Sequence, residues 1–261
     1  MHPDELAARQ CAAEAVARDA GRLACRYQSD LAALDVRLKG PQDVVTEADG
    51  AVERSIVAAL HAAFPTDSFL GEESGGAFGD RCWVIDPIDG TANFARRLPA
   101  WCVSIAFVVA GRTAIGVIFD PVGDLLYSAR RGAGASSNGA SIQVSTTNDL
   151  ARATVDVGYS SRVKISDFAV LVERLLALGV NVTQSGSAAL ALARVADGRL
   201  DGYFERHLYA WDALAGLLLV EEAGGRVNPF LDGDALTVGN ETIAATRALY
   251  DALVSASRFA E

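Results

Sequence analysis

The sequence predicts a mixed α/β fold in two packed halves, and three observations predict it. Residues 4–27 read as one long Ala-rich helix. "WCVSIAFVVA", "TAIGVIFDP" and "DLLYSARR" read as three strands joined by Gly-, Asp- and Pro-containing turns, which is the pattern of an antiparallel meander. Near residue 150 the pattern changes to alternating strands and helices, which favours an α/β arrangement. The change divides an N-terminal lobe, 1–150, from a C-terminal lobe, 151–261, with a cleft expected between them.

The remaining elements follow in order. Thr46 and Asp49 fit a capping box for a second helix with Val52, Ile56, Leu60 and Ala63 on one face. "FPTDSFLGEESGG" gives a turn, the short strand "SFLG" and an acidic loop bounded by glycine. "CWVI" reads as a buried strand ending at Asp86, and Gly90 to about Arg97 as a short helix. "RGAGASSNGA" after the meander reads as a loop. The second half runs strand "ATVDVGY", helix 166–178, strand "NVTQSG", helix 187–196, strand "DGYFE" and helix 211–223. A last helix is expected from about Glu241 to Arg258.

Composition narrows the function classes. With 51% apolar and 21% charged residues among 261, the chain can bury a sizeable core and is not a disordered type. Acidic residues outnumber basic ones 33 to 23, which argues against nucleic acid or an anionic membrane as partner, because both call for basic patches. A small phosphorylated ligand stays compatible, since a metal supplies positive charge locally. The first twenty residues carry Asp4, Glu5, Arg9, Glu14, Arg18 and Asp19, so no uncharged secretory h-region is read there. "WCVSIAFVVAG" is too short to span a bilayer as a helix. Cys11, Cys25, Cys82 and Cys102 form no CxxC or zinc spacing and read as buried thiols of a cytoplasmic protein.

Acidic residues cluster in five short sites: "DVVTEAD" with Asp43 and Asp49, "GEES" with Glu72 and Glu73, "DPIDGT" with Asp86 and Asp89, "YFE" with Glu205, and "WDALAG" with Asp212. Singly, most have a bland reading as a helix cap, a solvated loop or a helix N-terminus. "DPIDGT" resists it. Two carboxylates at the end of a buried strand repel each other and lose hydration unless a cation compensates. Pro87 fixes the turn, Gly90 permits close backbone approach, and Thr91 begins a helix whose free N–H groups suit an anion. Oxygen-only donors suit a hard cation such as Mg²⁺. The combination reads as a metal–phosphate site.

"DVVTEAD", "GEES", "WVIDPIDGTANF" and "WDALAGLLLVEEAGG" occur in the order and approximate spacing of the inositol monophosphatase family, which the chain resembles from about Lys39 to Gly225. This family lies within the lithium-sensitive, magnesium-dependent phosphatase superfamily. The resemblance implies an α-β-α-β-α sandwich shared with fructose-1,6-bisphosphatase, two to three Mg²⁺ per site, and a homodimer. It implies that Glu72, Asp86 and the carbonyl of Ile88 hold one Mg²⁺, that Asp86, Asp89 and Asp212 hold a second, and that a third sits near Glu72. Glu72 and Thr91 would position the attacking water, with Asp49 orienting the Thr91 hydroxyl. Gly90 and Thr91 N–H groups would hold the phosphate. Asp89, Gly186, Ser187, Ala188 and Glu205 would face the substrate's hydroxyls, with Asp43 and Lys39 in support.

Ala92 departs from the threonine common in the family, and "ERHLYAWD" sets Arg206, His207 and Tyr209 beside Glu205. The expected activity is a phosphoric monoester hydrolase acting on myo-inositol 1-phosphate or a related polyol phosphate. Histidinol-phosphatase, fructose-1,6-bisphosphatase and a nucleoside 3′,5′-bisphosphate phosphatase are the enzymatic alternatives. A non-catalytic regulatory binding protein on the same fold is the alternative of another class.

Overall fold

The computed structural model describes residues 1–30, 36–40, 43–76 and 78–258, without the side chains of 36–40 and 43–46. Its elements stack in five layers, helix–sheet–helix–sheet–helix, as the expected sandwich requires. The first layer holds α1 (Pro3–Ser29) and α2 (Glu47–Ala63), with the hairpin β1 (Val36–Gly40) and β2 (Asp43–Thr46) between them in sequence. The buried stripe of α1 is Ala13, Ala17, Ala20 and Ala24, small residues that let the helix lie close on the sheet. On α2, Val52, Ile56 and Leu60 are buried, whereas Ala63, expected on the same face, is exposed where the helix ends. Phe64 turns in beyond it, 6.0 Å from the ring of Trp83.

The second layer is an eight-stranded sheet. It comprises β3 (Ser68–Gly71), β4 (Gly75–Gly76), β5 (Arg81–Asp89), β6 (Cys102–Val109), β7 (Arg112–Asp120), β8 (Leu125–Arg130), β9 (Ala135–Ser137) and β10 (Ala140–Ser141). The spatial order is β10-β9-β8-β7-β6-β5-β3-β4, and the expected meander is antiparallel throughout. Helices cover both faces of this sheet, so its central strands are continuous apolar runs rather than alternating ones. The stretch "RGAGASSNGA" is not all loop. It contains β9 and the start of β10, joined by Asn138 and Gly139, both at positive φ, in the manner of a two-residue hairpin turn. The helix expected at Gly90–Arg97 is the single-turn α3 (Thr91–Ala95).

The second half alternates as expected: β11 (Thr154–Val157), α4 (Ile165–Ala177), β12 (Asn181–Thr183), α5 (Ala188–Ala196), β13 (Gly202–Leu208) and α6 (Ala210–Glu222). Then come β14 (Arg226–Val227), α7 (Ala235–Val238), β15 (Asn240–Ala245) and α8 (Tyr250–Ser257). The five-stranded sheet runs β12-β11-β13-β15-β14, parallel among the first three and antiparallel at β15. Helices α5 and α6 form the middle layer, and their buried side chains share one core with both sheets. Helices α4 and α8 close the outer face.

The long helix expected from Glu241 is corrected. Asn240–Ala245 is a strand pairing with β13 and β14, and the helix starts only at Tyr250. The Ala- and Leu-rich composition favours helix locally, but backbone pairing along β13 outweighs that weak preference. Cys82 and Cys102 are buried, whereas Cys25 is half-buried and Cys11 exposed, so the expectation of four buried thiols holds for two. Among the described residues no helix is long and apolar enough to cross a membrane.

Candidate active site

Asp86 and Asp89 sit three apart on β5, which runs on through Pro87 rather than ending at Asp86. In a regular strand such residues point to opposite faces. Here the register slips: Asp86 pairs with Ser104 and Asp89 with Cys102, so β5 carries one extra residue. This bulge turns both carboxylates to one side, and Pro87, with no N–H to pair, is suited to it. The Ile88 N–H donates to Asp86 Oδ1 at 2.9 Å, which fixes the turn.

Asp212 arrives from α6. It occupies the third position of the helix and accepts the Tyr209 N–H at 3.0 Å, so it is also the cap its sequence context suggests. The Ser104 hydroxyl, buried opposite Asp86, donates to the Trp211 carbonyl at 3.0 Å and ties the start of α6 to the bulge. One carboxylate oxygen each from Asp86, Asp89 and Asp212 then lies within 4.8 Å of the others.

The electrostatics are those of a site short of positive charge. Asp86 is pushed well above the usual carboxylate range, first by burial and then by the charges of Glu72, Asp89 and Asp212. Asp212 is pushed up to about 8 by burial, with Asp89 as the next contribution. Asp89 is also raised by burial, against the pull of its hydrogen bonds. Its Oδ2 accepts from the Ser187 hydroxyl at 2.6 Å and from the Ala189 N–H at 2.7 Å, at the start of α5. An oxygen-only donor set with uncompensated negative charge fits Mg²⁺.

The Thr91 hydroxyl lies 3.1 Å from Asp49 Oδ1 and 2.9 Å from the Ile88 carbonyl. A hydroxyl has one proton, so it bonds one acceptor or the other at a time. Asp49 is buried in the first turn of α2, within reach of that hydroxyl. Gly90, at φ 93°, stands 2.9 to 3.2 Å from Ala100 O, Ser187 Cβ and Gly186 O for any added Cβ, so only glycine fits. Asn93 fastens this corner, its Nδ2 donating to the carbonyls of Ala100 at 2.7 Å and Ser185 at 2.8 Å.

Beside the carboxylates opens a cleft of about 280 Å³. Glu72, Asp89, Gly186, Ser187, Ala188, Glu205 and Asp212 all line it. Glu205 is buried and pushed up to about 8 by that burial, while its Oε2 accepts the Tyr203 hydroxyl at 2.5 Å. Ser187, although it lines the cleft, is itself buried and donates to Asp89. Arg206 turns away from the cleft to Glu241 and the Ser257 carbonyl, whereas His207 and Tyr209 line it. The side chains of Lys39 and Asp43 lie outside the described residues. Glu72 stands outside the close carboxylate triad, although its charge acts strongly on Asp86.

Sequence reasoning missed Tyr203, Asp156 and Arg162, which also line the cleft. Tyr203 was legible, since it lies two residues before Glu205 on a strand and so shares its face. Asp156, on the neighbouring strand, accepts from Thr183 and Ser185. Arg162 comes from a loop and stacks its guanidinium 4.6 Å over the Tyr209 ring, which stacks in turn on Trp211. No local pattern announces that contact.

Comparison with known proteins settles the ancestry of this arrangement. The model of the inositol monophosphatase family matches residues 5–261. The chain belongs to the inositol monophosphatase family. A relative named Nus factor SuhB from Xylella fastidiosa is 44% identical over 222 residues, covering 84% of this chain and 81% of its own. The structure of extragenic suppressor protein suhB from Bartonella henselae superposes with a TM-score of 0.91 at 34% identity, over 97% of this chain and 100% of that one. Inositol monophosphatase from Anabaena (Nostoc) gives a TM-score of 0.84 at 34% identity, over 97% and 96% of the two chains. Inositol monophosphatase family membership thus extends across the whole five-layer fold, beyond the segment from Lys39 to Gly225 that carries the motifs.

Proposed function

We propose that the protein is a Mg²⁺-dependent phosphomonoesterase that hydrolyses myo-inositol 1-phosphate or a related polyol phosphate. The observation that carries this reading is the convergence of Asp86, Asp89 and Asp212 beside the Thr91–Asp49 contact. Asp86, Asp89, Asp212, Glu72 and the Ile88 carbonyl would hold two to three Mg²⁺. Bound metal supplies stabilisation of charge on the phosphoryl and leaving oxygens. The protein's own groups do the rest. Thr91, oriented by Asp49, and Glu72 position the water for in-line attack, and the N–H groups of Gly90 and Thr91 hold the phosphate. Ser187 and Ala189 hold one oxygen of Asp89, leaving the other free to face the site. Glu205, with one oxygen engaged by Tyr203, offers the other to the substrate's hydroxyls. On the same reading the protein is a cytoplasmic, lithium-sensitive homodimer, with Lys39 and Asp43 supporting the site.

The deciding experiment measures phosphate release from inositol 1-phosphate, histidinol phosphate, fructose 1,6-bisphosphate and a nucleoside 3′,5′-bisphosphate, with Mg²⁺ and with EDTA. Preference for the inositol ester, lost in EDTA, is expected. Above about pH 8, where Glu205 is ionised, Glu205→Gln should then lower kcat/KM by about ten- to a hundredfold, the worth of a charge-assisted hydrogen bond of roughly 1.5–3 kcal/mol. An equal, negligible effect on every ester would remove Glu205 from the site. A second reading, a regulatory binding protein without turnover, is favoured by the name Nus factor borne by the relatives. Finding no release from any ester in millimolar Mg²⁺ would select it.

A further inference from the structure

The second turn of α2 carries a buried carboxylate that the reaction outlined above does not use. Glu53 is 2% exposed. Its Oε2 accepts the Glu73 N–H and its Oε1 the Ser74 N–H, both at 2.8 Å. Among the described residues no cation pairs with it, so two consecutive main-chain N–H groups are what stabilise its charge. The sequence makes room for this contact. A Cβ at Gly71 would stand 2.5 Å from the Glu53 carboxylate.

Glu53 follows Asp49 by one helical turn, so the two share a face of α2. Asp49 reaches Thr91, and Glu53 grips the turn that begins at Glu72. Glu72 also lines the cleft together with Asp89 and Asp212. Mutual repulsion pushes Glu72 away from the other carboxylates when they are ionised and no cation lies between them. A backbone held at the next two residues resists that drift.

We propose that Glu53 is a positioning residue for the metal centre: it clamps the Glu72–Ser74 turn so that Glu72 stays at the cleft beside Asp89 and Asp212 before a cation arrives. The inference rests on the metal-centre part of the proposed function and is independent of which ester is hydrolysed. In Glu53→Gln one acceptor becomes an NH₂ that faces another N–H, and the clamp opens on one side. Gly71→Ala attacks the same contact from the other side, pushing the carboxylate off without removing its charge.

The test is calorimetric titration of each metal-free protein with Mn²⁺ as the probe, alongside thermal melting. The expected result is a Kd raised tenfold or more in both variants, with the Mg²⁺ concentration for half-maximal phosphate release raised in parallel and kcat restored by excess Mg²⁺. Arg9→Met, which breaks the buried Arg9–Asp67 ion pair outside the cleft lining, serves as the destabilised control and should leave Kd unchanged. A Kd equal to wild type in either folded variant, or a rise matched by the control, would overturn the assignment. If no ester is hydrolysed, the phosphatase reading fails while the Mn²⁺ titration still decides the role of Glu53.

Discussion

Two buried acidic places in this molecule resolve the same physical problem differently. Asp67, with a fully buried side chain, meets Arg9 from α1 in a two-pronged ion pair of 2.8 and 3.0 Å. The guanidinium lies over the rings of Phe64 and Phe107, at 4.5 and 5.2 Å, and Arg81 stands 3.6 Å from the same carboxylate. The chain neutralises that charge from within. At Asp86, Asp89 and Asp212 the neighbours are further carboxylates and hydrogen-bond donors. The first arrangement fastens α1 to the turn that leads into β3. The second leaves a debt of positive charge that a cation from solution can fill, and that difference separates a structural carboxylate from one available for chemistry.

The strongest way to break the contrast is Asp86→Asn. A neutral amide removes the central anion, and Mg²⁺-dependent phosphate release should fall at least a hundredfold, about 2.7 kcal/mol. Metal-free stability should hold or rise, because a buried carboxyl that must take up a proton or ionise against its neighbours is gone. Turnover above about a tenth of wild type in saturating Mg²⁺ would remove Asp86 from the centre of the site.

Arg9→Met should do the reverse. Asp67 is left buried without its main partner, and unfolding in urea should show a loss of about 3 kcal/mol. Activity per folded molecule should be unchanged. Lost activity with intact stability would mean that the pair serves the site after all.

The mildest test is pH. Carboxylates raised in the folded state bind protons more tightly there than in the unfolded chain. Their contribution to stability is therefore full below the ordinary aspartate value of 3.8 and is lost as pH rises toward about 8, the value for Asp212. Melting temperature in EDTA should decline between about pH 5 and about pH 8, and saturating Mg²⁺ should flatten the decline. A slope that Mg²⁺ leaves untouched would place the uncompensated charge elsewhere.

Much of the site was legible because its parts are local. "DPIDGT" joins two carboxylates, a proline and a glycine within six residues, and "WDALAG" places Asp212 in a helix's first turn. Tyr203 was legible from strand periodicity and Glu53 from its helical spacing to Asp49, yet neither spacing names the partner. Arg162 was not legible, because its contact with Tyr209 joins a loop to the start of a helix 47 residues later.

By itself the sequence determined the helical and strand periods, the meander, the alternating second half and the oxygen-only donor set of the candidate site. These depend on side-chain spacing and donor type, which are properties of the chain written out in a line. Only the tertiary structure decided that Asn240–Ala245 is a strand, because its backbone partners in β13 and β14 lie far away in sequence. The same holds for the bulge that turns Asp86 and Asp89 to one side: it exists as a mismatch of register against β6, and a single strand has no register.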